Sequence, residues 1–238
     1  MHSAIDLHEH LIYGVDDGAR TLEDSLRMLQ AAQEDGIGWI VGTSHAYPSL
    51  QPFPLERYTR HLAAVNQLSR ERQLGVSVYE GCEIFYSPIA LRQLEAGALP
   101  TLAGSRFTLI EFDPTLSTDG LIDALRQVAN AGFVPVIAHV ERYDALFRDI
   151  DALLDARQQF PLRIQMNCDT IAQKCPRPVR KFRDALLRED AVDYVASDAH
   201  DTKRRPTRML DAYRALEKQY GVQRARRLTG DNQMELFA

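Results

Sequence analysis

Five histidines, His8, His10, His45, His139 and His200, each stand at or just after the end of an apolar, β-branched run. Acids accompany them. Asp6-Leu7-His8-Glu9-His10 precedes Asp16-Asp17-Gly18, Glu83 and Glu111 close two other apolar runs, and Asp198-Ala199-His200 closes the last. Burying a carboxylate unpaired costs several kcal/mol, so each of these acids wants a cation, a base or solvent. Period-two geometry puts Asp6, His8 and His10 on one side of an extended strand, and Asp198 and His200 on one side of another. Two imidazoles so placed can bind one metal, with an acid orienting a ring through its second nitrogen. Singly, a histidine or glutamate at a strand end is explained equally well as a core or rim residue. Together they are not, because chance would scatter them over helices and loops as well. The other two, His2 at the terminus and His61 on a polar helix after Pro54, read as incidental.

More than four ligands exceed one tetrahedral ion, so two or three ions sharing bridging carboxylates are expected. Imidazole and carboxylate without thiolate suit divalent manganese foremost, with iron, cobalt or zinc also compatible. Such clusters activate water and clamp the oxygens of an in-line displacement at phosphorus. Phosphate-ester hydrolysis is therefore the leading chemistry, with carbon–nitrogen hydrolysis behind it. Thiolate catalysis is excluded by counting. Six residues after Cys82, Cys168 and Cys175 stand Pro88, Lys174 and Lys181, not the arginine a cysteine-dependent phosphatase needs. Three irregular cysteines also make no disulfide framework, which fits a reducing compartment.

The elements that must position these residues are legible. Strand-like runs occur at Ala4–Leu7, Trp39–Thr43, Val76–Glu83, Phe107–Phe112, Val134–His139, Leu162–Met166 and Val192–Ser197, with amphipathic stretches at helical period between them. Thr21 with Asp24 reads as a capping-box variant, and Gly36 and Gly132 stand where helices should stop. Strand–helix alternation repeated about seven times predicts a parallel α/β sheet in one domain spanning 1–238. A seven- or eight-stranded barrel is the first choice, because it gathers strand C-termini at one mouth. An open doubly wound sheet is the second. The arginines near the end, Arg205 excepted, read as lining solvated helix faces.

The 238 residues carry a net charge of −5 and no long apolar run, so no basic footprint for nucleic acid and no membrane span is expected. The N-terminus lacks the basic start and apolar run of a signal peptide, and a cytoplasmic protein is expected.

In order, Asp-x-His-x-His, Asp-Asp-Gly, Thr-x-His, Gly-x-Glu, Ile-Glu-Phe, Ala-His-x-Glu-Arg-Tyr and Ser-Asp-x-His resemble the polymerase-and-histidinol-phosphatase (PHP) superfamily. More closely, the chain is similar to the bacterial metal-dependent protein-tyrosine phosphatases of capsule and exopolysaccharide operons, from Asp6 to about Met209. The resemblance implies a distorted (β/α)₇ TIM-like barrel of the PHP fold with a trinuclear site. One metal would be held by His8, His10, Glu83 and Asp198. Glu83 would bridge to a second, held also by Glu111 and His139. Asp17, His45 and His200 would hold a third. Arg142 and Arg205 match the family's phosphate-binding arginines. Three divalent ions would outweigh four carboxylates, making a positive site on a negative protein.

The implied reaction is attack by a metal-bridging hydroxide on phosphorus, in line with the departing tyrosine oxygen and without a phosphoenzyme. The implied partner is a phosphotyrosine protein, the tyrosine-rich tail of a bacterial tyrosine kinase. Ala46 stands where the family often has a second histidine, and Asn167-Cys168-Asp169-Thr170 replaces its usual segment after the sixth strand. The alternatives are a small-molecule phosphatase such as a histidinol phosphatase, a PHP-type nuclease, and a non-catalytic metal-binding partner of a kinase complex. No residue declares itself as general acid; Asp201 follows His200 closely.

Overall fold

The structure, a computed structural model, describes residues 4–238, so His2 lies outside the described residues. Seven strands form one parallel sheet in sequential order: β1 Ala4–Glu9, β2 Ile37–Ala46, β3 Ser77–Phe85, β4 Phe107–Glu111, β5 Val134–Ile137, β6 Arg163–Asn167 and β7 Tyr194–Ala196. Between and after them run α1 Leu22–Glu34, α2 Leu55–Glu71, α3 Pro88–Glu95, α4 Thr118–Asn130, α5 Ile150–Gln159, α6 Cys168–Ala172, α7 Arg177–Arg188, α8 Met209–Tyr220 and α9 Val222–Arg226. All seven expected strands are present, each with ends within three residues of the apolar runs. Thr21 and Asp24 form the reciprocal capping box of α1, and Gly36 and Gly132 take φ of +77° and +94° after α1 and α4.

The sheet curls into a nearly closed barrel rather than an open one. Among the described residues β7 and β1 share no ladder; an isolated bridge joins Glu9, at the end of β1, to Ala199 in the loop after β7. Across that seam the Asp198 N–H donates to the His8 carbonyl at 2.8 Å, the His10 N–H to the Ala199 carbonyl at 2.8 Å, and the Ser197 N–H to Asp6 Oδ1 at 3.0 Å. The loop after β7 thus completes the barrel and carries Asp198 and His200 to β1.

Alternate residues of the strands face inward. Leu7, Val41, Leu109, Val136 and Ala196 form the inner core, while the larger outer core packs strands against helices. At the end remote from the histidines, Phe237 meets Trp39 and Tyr79 edge-on, each at 4.7 Å, and closes the barrel floor. At the other end the inward positions change to His45, Glu83 and Glu111. His45 pairs with Glu83, while Glu111 pairs with Phe85, one inward step nearer the mouth than Glu83. Ala46, one step on from His45, belongs to the outer core.

Two expectations are corrected. Strict alternation does not hold along β1, because its register with β2 shifts between Asp6 and Glu9. Leu7 therefore joins the inner core while His8 and His10 still meet, their Nε2 atoms 3.2 Å apart. Asp6 does not face the mouth with them. Its Oδ1 accepts the His8 N–H at 3.2 Å and serves the seam. Among the terminal arginines, Arg224 is half-buried rather than a solvated helix residue. It bonds the Leu187 carbonyl, pairs with Asp190 at 3.0 Å and lies 4.7 Å over Tyr220, tying α9 to α7. No helix among the described residues is long and apolar enough to cross a membrane.

Candidate metal centre

The barrel mouth brings the nine expected ligand residues together. Glu83, on an inward position of β3, is at the centre. Its Oε2 lies 3.3 Å from His8 Nε2, 3.4 Å from His10 Nε2 and 3.0 Å from His45 Nδ1, and its Oε1 lies 2.8 Å from His139 Nε2. Glu111 reaches the same side, 3.5 Å from His139 and 3.8 Å from His45. Asp198 Oδ1 lies 3.5 Å from both His8 and His10. Asp17, the exposed member, is 3.4 Å from His45 Nε2 and 3.4 Å from His200 Nε2.

Three clusters have ligand spacing: His8, His10 and Asp198; His45, Glu83 and Glu111; and His10, Asp17, His45 and His200. The grouping differs in detail from the expected one. His45 presents a nitrogen to each of two clusters, and His139 meets Glu83 and Glu111 without entering any of the three.

Apart from His139 Nε2 with Glu83 Oε1 and the His8–His10 pair, this proximity is not hydrogen bonding. Glu83 Oε2, Glu111 Oε2, His45 Nδ1 and His200 Nε2 are buried yet have no properly directed hydrogen-bond partner. Orphaned buried polar atoms are rare, and several converging on one space are the mark of a site that divalent cations fill. The donor chemistry, imidazole and carboxylate without thiolate, fits such ions.

Backbone strain sits at the same place. His139 takes φ of +31° just beyond β5, and Asp198 φ of +56° just beyond β7. Left-handed geometry at a residue other than glycine costs on the order of 1–3 kcal/mol and persists where surrounding structure imposes it. The β5 run therefore stops at Ile137 rather than continuing to His139 as the sequence suggested.

What imposes it is a polar network that sequence reasoning missed. Gln165, fully buried on β6, accepts the His139 N–H at 2.6 Å, lies 3.2 Å from His8 Nδ1 and donates to Asn167 Oδ1 at 2.8 Å. Asn167 in turn donates to Asp198 Oδ2 at 3.0 Å. Buried Glu141 accepts from Asn167 N and the Thr170 hydroxyl, fixing the atypical segment after β6. The orienting acid for His10 is Asp16, 2.8 Å from Nδ1, not Asp6. Asp16 also accepts the His45 N–H at 2.9 Å. The available signals were the paired acids of Asp16-Asp17-Gly18 and a glutamine inside an apolar strand.

Gln165→Leu should weaken metal affinity by about 10- to 100-fold, the usual effect of removing an outer-shell partner. Metal titration followed by mass spectrometry reads it. Unchanged affinity would remove Gln165 from this role.

Imidazoles and arginines face the acids of the mouth and shift their titration. Burial would raise the Glu83 and Asp198 carboxyls, but the surrounding imidazoles, with Arg142 at Asp198, hold both well below the usual range. Burial works against a charged His10, yet Asp16 lifts its pKa well above the ordinary value. His200 goes the other way, pushed down to about 4 by burial, His10 and Arg205. Arg142 bonds Asp198 Oδ2, and Arg205 pairs with Asp198 Oδ1 at 2.7 Å. Both guanidinium groups reach the mouth from its exposed rim.

Asp201 is not placed to donate a proton. Its Oδ1 accepts the backbone N–H groups of Lys203 and Arg204, which builds the loop carrying Arg205. His61 lies outside the mouth, stacked on Tyr13 at 3.9 Å. The three cysteines are free, and burial pushes the Cys82 and Cys168 thiols up, away from thiolate chemistry.

Fold and donor set together define a class: a seven-stranded TIM-like barrel whose histidine–carboxylate mouth suits metal-assisted hydrolysis. Within it, the chain belongs to the capsular polysaccharide synthesis CpsB/CapC family, whose model matches residues 4–238. It is similar to the tyrosine-protein phosphatase CpsB of Streptococcus pneumoniae, 32% identical over 244 residues and 98% of both chains. It is also similar to the tyrosine-protein phosphatase YwqE of Bacillus subtilis, 26% identical over 232 residues, 98% of this chain and 91% of that one. A solved structure from work on YwqE of B. subtilis and CpsB of S. pneumoniae, described as unique metal-dependent tyrosine phosphatases, superposes with a TM-score of 0.86. The match has 26% identity and covers 98% of this chain and 94% of that one.

Proposed function

We propose that this protein is a metal-dependent protein-tyrosine phosphatase whose catalytic unit is the whole chain. The observation that carries the reading is the set of orphaned buried donors converging on Glu83. Family membership gives that site its substrate class. His8, His10, Asp17, His45, Glu83, Glu111, His139, Asp198 and His200 would hold two or three divalent ions, manganese foremost. Such ions activate water at neutral pH and neutralise charge on the phosphoryl oxygens.

The chain's own side chains do the rest. Arg142 and Arg205, whose guanidinium groups reach Asp198 from the rim, are placed to stabilise the charge that develops on the phosphoryl oxygens. Tyr47 lies beside His45, ring centroids 5.2 Å apart, and 5.6 Å from Phe85. Phe85 follows Glu83 by two positions on β3 and shares its inward face, and Tyr47, just beyond the end of β2, joins it through these ring contacts. This wall receives the aryl ring of phosphotyrosine. A phenolate leaves with little proton assistance, since its pKa is about 10. The partner is the tyrosine-rich tail of a bacterial tyrosine kinase in polysaccharide synthesis, met in the cytoplasm.

The deciding experiment measures bound metal by mass spectrometry together with hydrolysis of a phosphotyrosine peptide, histidinol phosphate and single-stranded DNA, with and without Mn²⁺. Metal-dependent, chelator-sensitive release from the peptide is expected. Turnover of histidinol phosphate or DNA instead would replace this reading, and bound metal with no turnover at all would leave a non-catalytic binding protein. Tyr47→Ala should raise KM for the peptide several-fold while leaving a small alkyl phosphate unaffected.

Metal loading should release protons. Burial opposes a charge on His139, but Glu111 and Glu83 outweigh it and raise its pKa to about 9; His45 is also raised. A ligating imidazole is neutral, so below pH 9 the His139 proton must leave when metal binds. Its charge stabilises the fold in full below the unfolded pKa of about 6.5, and that stability is lost as pH rises through about 9. Apparent metal affinity should therefore climb between pH 6 and 9, with proton release shrinking toward the upper end. Calorimetry in two buffers of different ionisation enthalpy measures it; pH-independent affinity would contradict these ligands.

A further inference from the structure

A cationic cavity that the catalytic reading leaves unused is built on the chain segment that follows Arg142. It has a volume of ≈ 690 Å³ and is formed between the turn after β5, the start of α5 and the first turns of α7. Asp144, Phe147, Arg148, Arg177, Lys181 and Phe182 line it. Its floor is aromatic, with the Phe147 and Phe182 rings 4.8 Å apart. Its rim is basic: Arg148, Arg177 and Lys181 are exposed, and among the described residues none of them makes an ion pair. Nearby Arg183 and Arg208, by contrast, are held by Asp184 and Asp169 at 2.8 and 3.0 Å. Three free cations against one acid, on a chain of net charge −5, make a local positive patch that attracts anions. α7 begins at this cavity without a side-chain cap, which adds the positive end of a 12-residue helix.

The cavity is tied to the catalytic mouth through the chain itself. His139 and Arg142 lead directly into the two short 3₁₀ turns, Val140–Arg142 and Asp144–Phe147, that reach Phe147 and Arg148. Six residues separate Arg142 from Arg148, so their Cα atoms are at most ~20 Å apart. An extended peptide covers that span in about six residues or fewer.

We propose that this cavity is a second phosphotyrosine-binding site. A bound phosphotyrosine lays its ring on half-buried Phe147, which the buried Phe182 backs, and its phosphate among Arg148, Arg177 and Lys181, while a second phosphotyrosine of the same tail occupies the metal mouth. The inference rests on the phosphotyrosine-phosphatase reading above. An aryl phosphate fits better than a membrane surface. The apolar side of α7, Phe182, Leu186 and Leu187, is buried against the barrel, leaving charge but no exposed apolar edge to enter a bilayer. Two sites on one chain raise the effective concentration of the second phosphotyrosine, which lowers KM for doubly phosphorylated tails without altering the chemical step.

The test compares a singly phosphorylated peptide with one carrying phosphotyrosines three to six residues apart, in the metal-loaded wild type and in R148S/K181S. Both substituted side chains are exposed, so the fold is kept, and thermal melting checks it. Wild type should show a KM about tenfold lower for the doubly phosphorylated peptide. The ratio should collapse toward one in the double variant, with turnover of para-nitrophenyl phosphate unchanged. Equal KM values in the wild type, or a ratio that survives the substitutions, overturns the proposal. So does loss of binding to phosphatidylglycerol vesicles with the peptide ratio intact, which would make the cavity a membrane contact. If no phosphotyrosine peptide is hydrolysed, the function proposed above fails on its own account. Fluorescence anisotropy of a labelled doubly phosphorylated peptide then still reads the cavity: weaker binding to R148S/K181S supports it, and unchanged binding overturns it.

Discussion

Asp198→Asn should yield a folded protein that releases no measurable phosphate, a fall of about a thousandfold or more, on the scale of losing a main source of transition-state charge stabilisation. The substitution isolates charge from shape. Asp198 holds φ of +56°, and asparagine tolerates that left-handed geometry nearly as well as aspartate. The amide carbonyl can still accept from Asn167, and the backbone bond to the His8 carbonyl is untouched. What goes is the negative oxygen 3.5 Å from both His8 and His10, where a cation would sit. Metal content should fall with activity while the far-ultraviolet circular dichroism spectrum is kept. A metal-replete, active Asp198→Asn protein would remove this residue from the site. His139→Ala should behave alike, since its Nε2 is 2.8 Å from Glu83, but it places an alanine at φ of +31°, a geometry histidine tolerates better, and so mixes two effects.

The second large effect is expected at a residue with no side chain at all. A Cβ placed on Gly18 would lie 2.0 Å from the His10 carbonyl oxygen and 2.5 Å from the His10 Cβ. Neither atom is the end of a flexible side chain, so backbone must move. The loop that moves carries Asp16, whose Oδ1 accepts the Gly18 N–H at 3.1 Å and whose Oδ2 orients His10. It also carries Asp17. Overpacking of a rigid site costs typically 1–3 kcal/mol, and here the displacement falls on three residues of the mouth at once. Gly18→Ala should lower Tm by several degrees and lose at least one equivalent of metal, measured by melting and mass spectrometry on the same sample. Normal stability with full metal content would show that the loop adapts without cost.

These two predictions draw on different layers of information. Asp198 was visible in the sequence because an acid two residues before a histidine, at the end of Val195-Ala196-Ser197, is conspicuous against an apolar run. Gly18 was visible only as part of a motif; its proximity to the His10 carbonyl is a tertiary fact. Asp6 was misplaced for a related reason. Alternation predicts which face a residue takes only while the pairing stays in register, and β1 slips between Asp6 and Glu9. Gln165 escaped notice because a single polar residue in a strand carries no local signal of what lies across the barrel from it. His8, His139 and Asp198 come within reach of its amide network only when β1, β5, β6 and the loop after β7 stand side by side.

The alternation of strand and helix, the parallel sheet that follows from it, and the chemical type of the mouth are legible in the order of residues alone. Each is written in local periodicity and in residue identity, which survive without knowledge of distant contacts. Only the tertiary structure decided which nitrogen meets which carboxylate, that Asp16 rather than Asp6 orients His10, and that His45 serves two clusters. It alone placed unpaired cations around an aromatic floor on the segment that follows Arg142. The physical reason is the same throughout. Strand-end positions are set by local pattern, but ångström distances between side chains from different strands depend on register, on barrel closure at the β7–β1 seam, and on strained turns held by long-range hydrogen bonds.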